Sequence, residues 1–410
     1  MSAWPEWVHR GVIDDARHRH RHRQRRRRLA GVAAILAGGL TVLVLASPGG
    51  PSRATPPLRL SSSLTWLTGS PLGATHLRLV ASEGDDPPSI IDVDTGRVTP
   101  LPQLDVPGPP NLGPYLSLTP YRGGALAVVN HQACNHCALT EDDFLVSASG
   151  TVHLLASRHF LAFVGTTERS PIPGATAEWV LRWPHRGPCT LRLVPSPRPA
   201  VKVPCGNLGG VYENDIVLGT SNGPTILVDP RTGAVRGRVN TTHRSDPIGH
   251  GLAVEGPPSP DSGGLTLINL ATGKRQPLGW PSRMHFSYQL FPDPAGPYVA
   301  IEFGDPAYPG YSVHVNPNPQ TIGQAADLWL LDTRTATLTH VPGFPILESL
   351  KQSGVAWSPD GRLVIASRGG SFAQSTTRTA IGVWRPGQSS VPVGTLPPLN
   401  GYTQLVPLNH

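Results

Sequence analysis

Residues 225–238 read TILVDPRTGAVRGR, and this stretch decides the fold. A short apolar strand comes first, a turn built on Asp229, Pro230, Thr232 and Gly233 follows, and a second strand runs back. Asp can hydrogen-bond its own backbone in a turn, Pro presets φ, and Gly accepts a positive φ. The stretch therefore predicts a β-hairpin.

Versions of this hairpin recur along the chain. They are SIIDVDTGRVTPLP at 89–102, LTLINLATGKRQPLG at 265–279, LWLLDTRTATLTHVPG at 328–343 and a looser IGVWRPGQSSVPVG at 381–394. Each is interpreted as the outer hairpin of one sheet. The missing 3.6-residue periodicity excludes a helical solenoid, and a β-sandwich would not explain the same hairpin recurring this often.

The strand pattern starts at about residue 58 and divides into seven units. Their spacing, about 30 to 60 residues, lies in the range where propellers and other repeat arrays are considered. We expect an all-β fold, a β-propeller of seven four-stranded blades, with residues 400–408 closing the ring beside residues 61–68. Closure would remove exposed sheet edges, which invite aggregation. The units are residues 74–103, 114–156, 159–206, 209–239, 246–281, 285–345 and 353–397.

The seventh unit contains VAWSPDGRLVIAS at 355–367, and YQLFPDPAGPYVAIEF at 288–303 is a degraded copy. This segment resembles the repeat of the bacterial TolB-like and WD40-like propeller families. The resemblance implies that Trp357 and Phe291 pack between blades and that Asp360 and Gly361 make a turn. It is good for one unit and fair for about four. The second and third units carry no recognisable family motif.

The N-terminal residues predict a membrane anchor. RHRHRHRQRRRR at 17–28 directly precedes LAGVAAILAGGLTVLVLAS at 29–47, which carries no charge. About 20 apolar residues span a bilayer as a helix, and flanking arginines stay in the cytoplasm. The predicted organisation is a cytoplasmic basic tail (1–28), a transmembrane signal-anchor helix (29–47), a Pro-rich linker (48–57) and an extracytoplasmic propeller (58–410). The alternative is a cleaved signal peptide that uses Val44 and Ala46 as its small-residue site.

The net charge of +7 also belongs to this N-terminal region. Nine arginines and three acidic residues precede residue 29, so six of the seven net charges lie there. The remainder is close to neutral. We therefore expect no nucleic-acid partner, although a pI near 9.5 would otherwise suggest one.

The four cysteines are expected to pair, because the predicted location is oxidising. Cys189 and Cys205 flank a hairpin whose turn falls near Pro197, and counting outward from that residue places them opposite each other, within disulfide reach. Cys134 and Cys137 lie in HQACNHC at 131–137. The main expectation there is a disulfide; a metal site with His131 and His136 and a redox pair stay open.

Two segments have the form of catalytic motifs. GTSNG at 219–223 matches the nucleophile elbow, which requires a strand-to-helix turn, but it lies between two predicted strands. PDSGG at 260–264 resembles the nucleophile segment of trypsin-like proteases and leads into a predicted hairpin. We expect no catalytic residue and no cofactor. The acidic residues of two predicted loops are interpreted as solvated turn residues rather than metal ligands; they are Glu83, Asp85, Asp86, Glu141, Asp142 and Asp143.

The expected function is a non-catalytic binding or scaffolding module at the bacterial cell envelope, with a protein, peptide or glycan ligand. Loops on a rigid scaffold usually carry binding, so we look to the insertions after Asn130, at 304–325 and at 368–379. The candidate contact patch is Phe303, Tyr308, Tyr311 and His314. The alternatives are a sensor whose cytoplasmic tail engages a signalling partner, and a secreted propeller enzyme.

Overall fold

Residues outside the N-terminal region form a series of antiparallel sheets. All described residues lie in one compact unit, Leu64–His410. The predicted tail, membrane span and linker lie outside them, and no helix within them is long and apolar enough to cross a membrane. The structure, a computed structural model, describes residues 67–83, 86–104, 115–121, 123–132, 139–160, 167–171, 178–184, 187–194, 198–212, 214–219, 224–239, 245–257, 264–282, 287–305, 323–349, 354–368, 379–397 and 403–408.

Seven sheets correspond to the seven predicted units, and blades 2 to 6 are each built from consecutive strands. In order from the inner to the outer strand, blade 2 contains β5 (Tyr115–Tyr121), β6 (Gly124–Gln132), β7 (Leu139–Val146) and β8 (Val152–Phe160), and blade 3 contains β9 (Thr167–Pro171), β10 (Glu178–Arg182), β11 (Cys189–Val194) and β12 (Val201–Val203). Blade 4 contains β13 (Asn207–Tyr212), β14 (Asp215–Gly219), β15 (Thr225–Val228) and β16 (Val235–Val239), and blade 5 contains β17 (Ser245–Gly249), β18 (Leu252–Glu255), β19 (Leu265–Asn269) and β20 (Arg275–Gly279). Blade 6 contains β21 (Ser287–Pro292), β22 (Tyr298–Asp305), β23 (Gly323–Asp332) and β24 (Thr337–His340). A short extra strand, β25 (Ile346–Ser349), pairs with the beginning of β23.

Both ends of the described chain take part in closing the ring. Blade 1 consists of β30 (Thr403–Leu408), β2 (Arg78–Glu83), β3 (Asp86–Asp92) and β4 (Val98–Pro100), so its inner strand comes from the C-terminus. Blade 7 consists of β26 (Gly354–Trp357), β27 (Leu363–Arg368), β28 (Thr379–Trp384) and β29 (Pro392–Leu396), and β1 (Ser70–Pro71) lies parallel to β29 at its outer edge.

The closing role of the C-terminal strand is confirmed, but the expected partner was wrong. Strand β30 pairs antiparallel with β2, with Val406 opposite Val80, rather than with residues 61–68. The reason is that the N-terminal part of blade 1 supplies three strands and leaves the inner edge of β2 open for a fourth. The inner strands then contact one another around the ring in the order β5, β9, β13, β17, β21, β26, β30 and back to β5.

Alternating strand direction gives the ring two different ends. One end of the ring carries the connections from inner to second strand and from third to outer strand. We call this end the turn face. The connections from second to third strand, and those between blades, emerge at the opposite end, which we call the insertion face. Because each blade returns the chain to the end where it began, this division holds for all seven blades.

The predicted outer hairpins are confirmed as third and outer strands. At Asp229, the carboxylate accepts the N–H of Arg231 at 2.7 Å, and the backbone carbonyl accepts the N–H of Gly233 at 2.8 Å. Gly233 has a φ of +75°, which explains the glycine of the repeat. The turns that begin at Asp92 and Asn269 repeat the backbone contact, and their side chains accept the N–H of the third residue on, Thr95 and Thr272.

The core lies mainly between adjacent blades. Trp357 is 5% exposed, packs against residues of blades 6 and 7, and donates its indole N–H to the Phe291 carbonyl at 2.8 Å. Phe291 packs at the edge of the same cluster. The role that the repeat resemblance gave Trp357 is therefore confirmed, as is the turn at Gly361, which has a φ of +77°.

Candidate interaction face

The insertion face carries the long connections that the sequence singled out. Residues 133–138, 306–322 and 369–378 each join the second strand of a blade to its third strand, in blades 2, 6 and 7. Their described ends therefore all lie at the same end of the ring. Tyr308, Tyr311 and His314 fall within the second of these connections, outside the described residues.

A buried carboxylate with three hydrogen-bond donors lies close to this face in blade 6. Asp327 is 6% exposed and accepts three hydrogen bonds: from the Ser282 hydroxyl at 2.7 Å, from the Trp329 indole N–H at 2.9 Å, and from Nε2 of His340 at 2.7 Å. Ser282 lies in the connection from blade 5, so the network joins two blades. A carboxylate with this many donors is well suited to hold strand ends in one geometry.

Blades 4 and 5 are joined at the same end of the ring. The hydroxyls of Thr225 and Ser245, both fully buried, are 2.5 Å apart. In blade 5, the buried carboxylate of Glu255 pairs with Arg275 of the outer strand. These contacts sit at the last residue of β18 and at the first residues of β15 and β17, immediately next to insertion-face connections.

The acidic residues of blade 2 lie on a strand, so their interpretation as a solvated loop was wrong. Glu141 and Asp143 are each 2% exposed within β7. Asp142 alternates to the other side of the strand and contacts Nε2 of His131 at 2.9 Å. Glu83 and Asp86 end and begin strands of blade 1, and Asp85 is outside the described residues. Within the described chain, no group of three His, Cys, Asp or Glu side chains is placed to hold a metal ion.

Three carboxylates of the turn face, those of Asp92, Asp229 and Asp332, accept hydrogen bonds from residues of their own hairpins. The Arg231 N–H, and then the Arg236 guanidinium, lower the pKa of Asp229. The Thr95 hydroxyl and N–H do the same for Asp92, and the Arg334 guanidinium for Asp332. Each of these carboxylates therefore has a pKa below that of an ordinary aspartate, and its ionised form accepts the hydrogen bonds that hold the hairpin turn.

Phe303 does not belong to an exposed contact patch, so that prediction was wrong for this residue. Its side chain is 0% exposed, and its ring lies 5.2 Å from the ring of Trp280. Strand β22 is a second strand, covered on both sides by neighbouring blades, and Val299, Ala300 and Ile301 are equally buried. The nearly continuous apolar run YVAIEF is typical of such a strand.

The disulfide between Cys189 and Cys205 is confirmed, with the two Cα atoms 5.0 Å apart. The predicted register was wrong, however, because Cys189 lies opposite Val203 and not opposite Cys205. Cys205 follows the end of β12 by two residues and so reaches the same side of the sheet. Cys134, His136 and Cys137 lie outside the described residues, and their pairing stays a prediction.

Both motifs of catalytic form have strands on either side. The first begins at Gly219, the last residue of β14, and β15 follows it; the second lies between β18 and β19. In each case the two strands pair antiparallel. Neither motif therefore has the strand-to-helix setting that an elbow nucleophile requires.

The Asp327 network was not predicted from the sequence. Asp327 and Ser282 are separated by 45 residues, and only the ring arrangement of blades brings them together. The segment DLWLLD identifies a strand, but it contains no signal for which donors its aspartate would meet.

Comparison with known proteins gives likeness only at the level of overall shape. No family model matches the chain, and no curated protein matches it. Among solved structures, a chain of the mitotic checkpoint complex is 15% identical at a TM-score of 0.43, over 88% of this chain and 100% of that one. Hydrazine synthase of Kuenenia stuttgartiensis is 13% identical at a TM-score of 0.44, over 69% and 86%. AztD of Citrobacter koseri is 14% identical at 0.40, over 82% and 99%. The assignment of a seven-bladed propeller rests on the strand order described above.

Proposed function

We propose that this protein is a membrane-anchored, extracytoplasmic propeller of the bacterial cell envelope, related to the TolB-like and WD40-like families. It acts as a non-catalytic binding or scaffolding module, and its insertion face recognises a protein, peptide or glycan. The observation that carries the proposal is that the described strand ends on either side of residues 133–138, 306–322 and 369–378 lie at one end of the ring. Loops on a rigid scaffold usually carry recognition.

The contacts beneath that face support the same proposal. Asp327, inside β23, binds three donors, one of which is the last residue of β24, and the Thr225–Ser245 pair joins the first residues of β15 and β17. A recognition surface benefits from such support because less ordering remains to be done on binding. The connections at the turn face, by contrast, have at most seven residues, as between β28 and β29.

The anchor rests on the sequence of residues 17–47, an arginine-rich block followed by an uncharged apolar run. It predicts that the full chain stays in the membrane fraction after washing with alkaline carbonate. Deleting residues 29–47 should release the protein. Added protease should reach the propeller, but not residues 1–28, in spheroplasts. A full chain that the wash removes would argue against the anchor, and a shortened mature chain would favour the cleaved signal peptide.

The recognition face can be tested by photo-crosslinking in intact cells. A photoreactive residue at Tyr308 or Tyr311 should give adducts with an envelope component. The matched control is Thr272, an exposed residue in a turn-face hairpin, which should give none. Adducts at Thr272 but not at Tyr308 or Tyr311 would place recognition at the turn face and contradict the proposal.

A further inference from the structure

Among the strands that the structure describes, β8 is the longest outer strand, and no described strand pairs with its outer edge. It runs over nine residues, Val152–Phe160, and the blade 2 sheet ends with it. The outer strands of the other six blades have three to five residues. In blade 7 the outer edge is covered by β1, and in blade 6 β25 extends it.

Two leucines stand exposed on this strand. Leu154 is 57% exposed and Leu155 is 46% exposed; the third large exposed apolar residue of the described chain is Val98, at 38%. The register of β8 on β7 shifts at this point, since Asp143 lies opposite Ala156 and Phe144 opposite Leu154. Leu155 is therefore the extra residue of a β-bulge, and two adjacent leucines face solvent where alternation would bury one.

An open edge determines the kind of partner it can take. Its unpaired N–H and C=O groups accept another β-strand, and the leucines require apolar cover. The sequence of β8, VHLLASRHF, contains basic residues and no acidic one. A like strand can pair with it only if cations do not meet cations.

Antiparallel pairing of two copies centred on Leu155 satisfies both conditions. It places Leu155 beside Leu155, Leu154 opposite Ala156, His153 opposite Ser157, and Arg158 opposite Val152. Apolar residues then occupy the middle, and no two cations are opposed. Moving the centre by one residue to Ala156 would place Leu155 opposite Ser157, so the two leucines would no longer meet at the axis.

We propose that β8 is a homodimer edge, at which two copies of this chain join their blade 2 sheets across a two-fold axis at Leu155. The symmetry closes the assembly at two copies, because the same edge is used by both. A single strand pair is a small interface, so the dimer is expected to be weak and concentration-dependent in solution. Confinement of both copies to one membrane would raise their effective concentration, but the pairing itself does not depend on the anchor.

The axis position gives a direct test with the full chain. In Leu155→Cys, the two introduced thiols would lie next to each other across the axis. Mild oxidation of membranes should then give a disulfide-linked dimer on a non-reducing gel. The control is Val98→Cys, a comparably exposed residue on the short outer strand β4, which should give little. Equal dimer from the two variants, a ladder of higher species, or cross-linking to a different protein would overturn the proposal.

A second measurement uses Leu155→Lys, which places cations together at the axis. In sedimentation velocity of the full chain in detergent, the wild-type mass should rise from monomer to dimer with concentration, and this variant should stay monomeric. Val98→Lys should behave as wild type. Because both side chains are exposed, thermal unfolding should be unchanged in either variant. A monomeric wild type at every concentration, or a variant that dimerises equally well, would refute a β8 dimer.

Discussion

The two ends of the ring use carboxylates in opposite ways. At the turn face, Asp92, Asp229 and Asp332 accept hydrogen bonds from residues two to seven positions further along the chain. At the insertion face, Asp327 is buried and receives donors from a preceding connection, its own strand and the next strand. These three turns are therefore held mainly by local contacts, although Asp94 in the first turn also accepts hydrogen bonds from Thr75 and His76. The Asp327 network instead joins distant segments.

This difference explains what each end can do. A turn that holds itself needs little from its neighbours, so the same short motif serves in several blades. An end that is held by long-range contacts can carry connections of different length and sequence, because contacts within and between the blades hold its strands independently of those connections. The insertion face is thus the end that can vary in loop content while the ring stays intact.

The largest effect is expected from Asp327→Ala, which tests whether the Asp327 network stabilises blade 6 more than a turn carboxylate does. It removes the acceptor shared by the Ser282 hydroxyl, the Trp329 indole N–H and the His340 ring, of which His340 is 38% exposed and can turn to water. Since a hydrogen bond to a carboxylate contributes about 1.5–3 kcal/mol, the loss of those from Ser282 and Trp329 should lower the free energy of unfolding by about 3–5 kcal/mol. Urea denaturation of the full chain, followed by tryptophan fluorescence, measures this.

The matched control is Asp332→Ala on the turn face. Its principal side-chain partner is Arg334, which is 63% exposed. An exposed ion pair contributes about 0–1 kcal/mol, so the loss should be small. Equal losses at Asp327 and Asp332 would show that the two faces are held in the same way.

The next largest effect is expected from the disulfide of blade 3. Replacing Cys189 and Cys205 together by Ala opens a loop with a sequence separation of 16. The chain-entropy model assigns such a loop about 3 kcal/mol. Thermal unfolding should occur at a lower midpoint, and wild type in reductant should approach the same value. An unchanged midpoint would mean that neighbouring strands, rather than this covalent bond, hold the insertion-face end of blade 3.

A smaller effect is expected at the link between blades 4 and 5. Thr225→Val leaves the buried Ser245 hydroxyl unpaired, at a cost of about 1–2 kcal/mol. Adding Ser245→Ala should recover part of that loss, because the unpaired group is then gone. The double-mutant cycle gives the coupling energy directly. Additive losses would show that the two hydroxyls do not stabilise each other.

The same division between local and distant contacts separates what the sequence could predict from what it could not. Outer hairpins follow from Asp or Asn, Thr and Gly at fixed offsets, and all seven units were found. The partner of the C-terminal strand was missed because nothing near Thr403 indicates pairing with residues close to Arg78. The two-residue β1 is too short for any periodicity.

The predictions for single side chains were wrong for a related reason. Phe303 and Glu141 sit beside predicted insertions in the sequence, but both strands extend further than the pattern suggested, so these residues are buried. The exposed pair Leu154–Leu155 depends on a register shift that no alternation rule indicates. Strand existence is local information, whereas burial at a strand end depends on the neighbouring blade.

The smallest expected effect tests how far a turn is held by its own backbone. Ala336 has a φ of +54° at the position that Gly96, Gly233 and Gly273 occupy in the equivalent turns. A residue with a Cβ destabilises the folded state by roughly 1–2 kcal/mol in this conformation. Glycine avoids that cost, but its greater freedom in the unfolded chain offsets roughly 0.5–1 kcal/mol of the gain. Ala336→Gly should therefore stabilise the protein by about 0.5–1 kcal/mol. Gly273→Ala should destabilise it by about 1 kcal/mol, because a Cβ there meets nothing within 4 Å and only the conformation is affected. Opposite shifts of the urea midpoint are expected, and shifts of the same sign would mean that packing against the next blade, not backbone conformation, decides the stability of these turns.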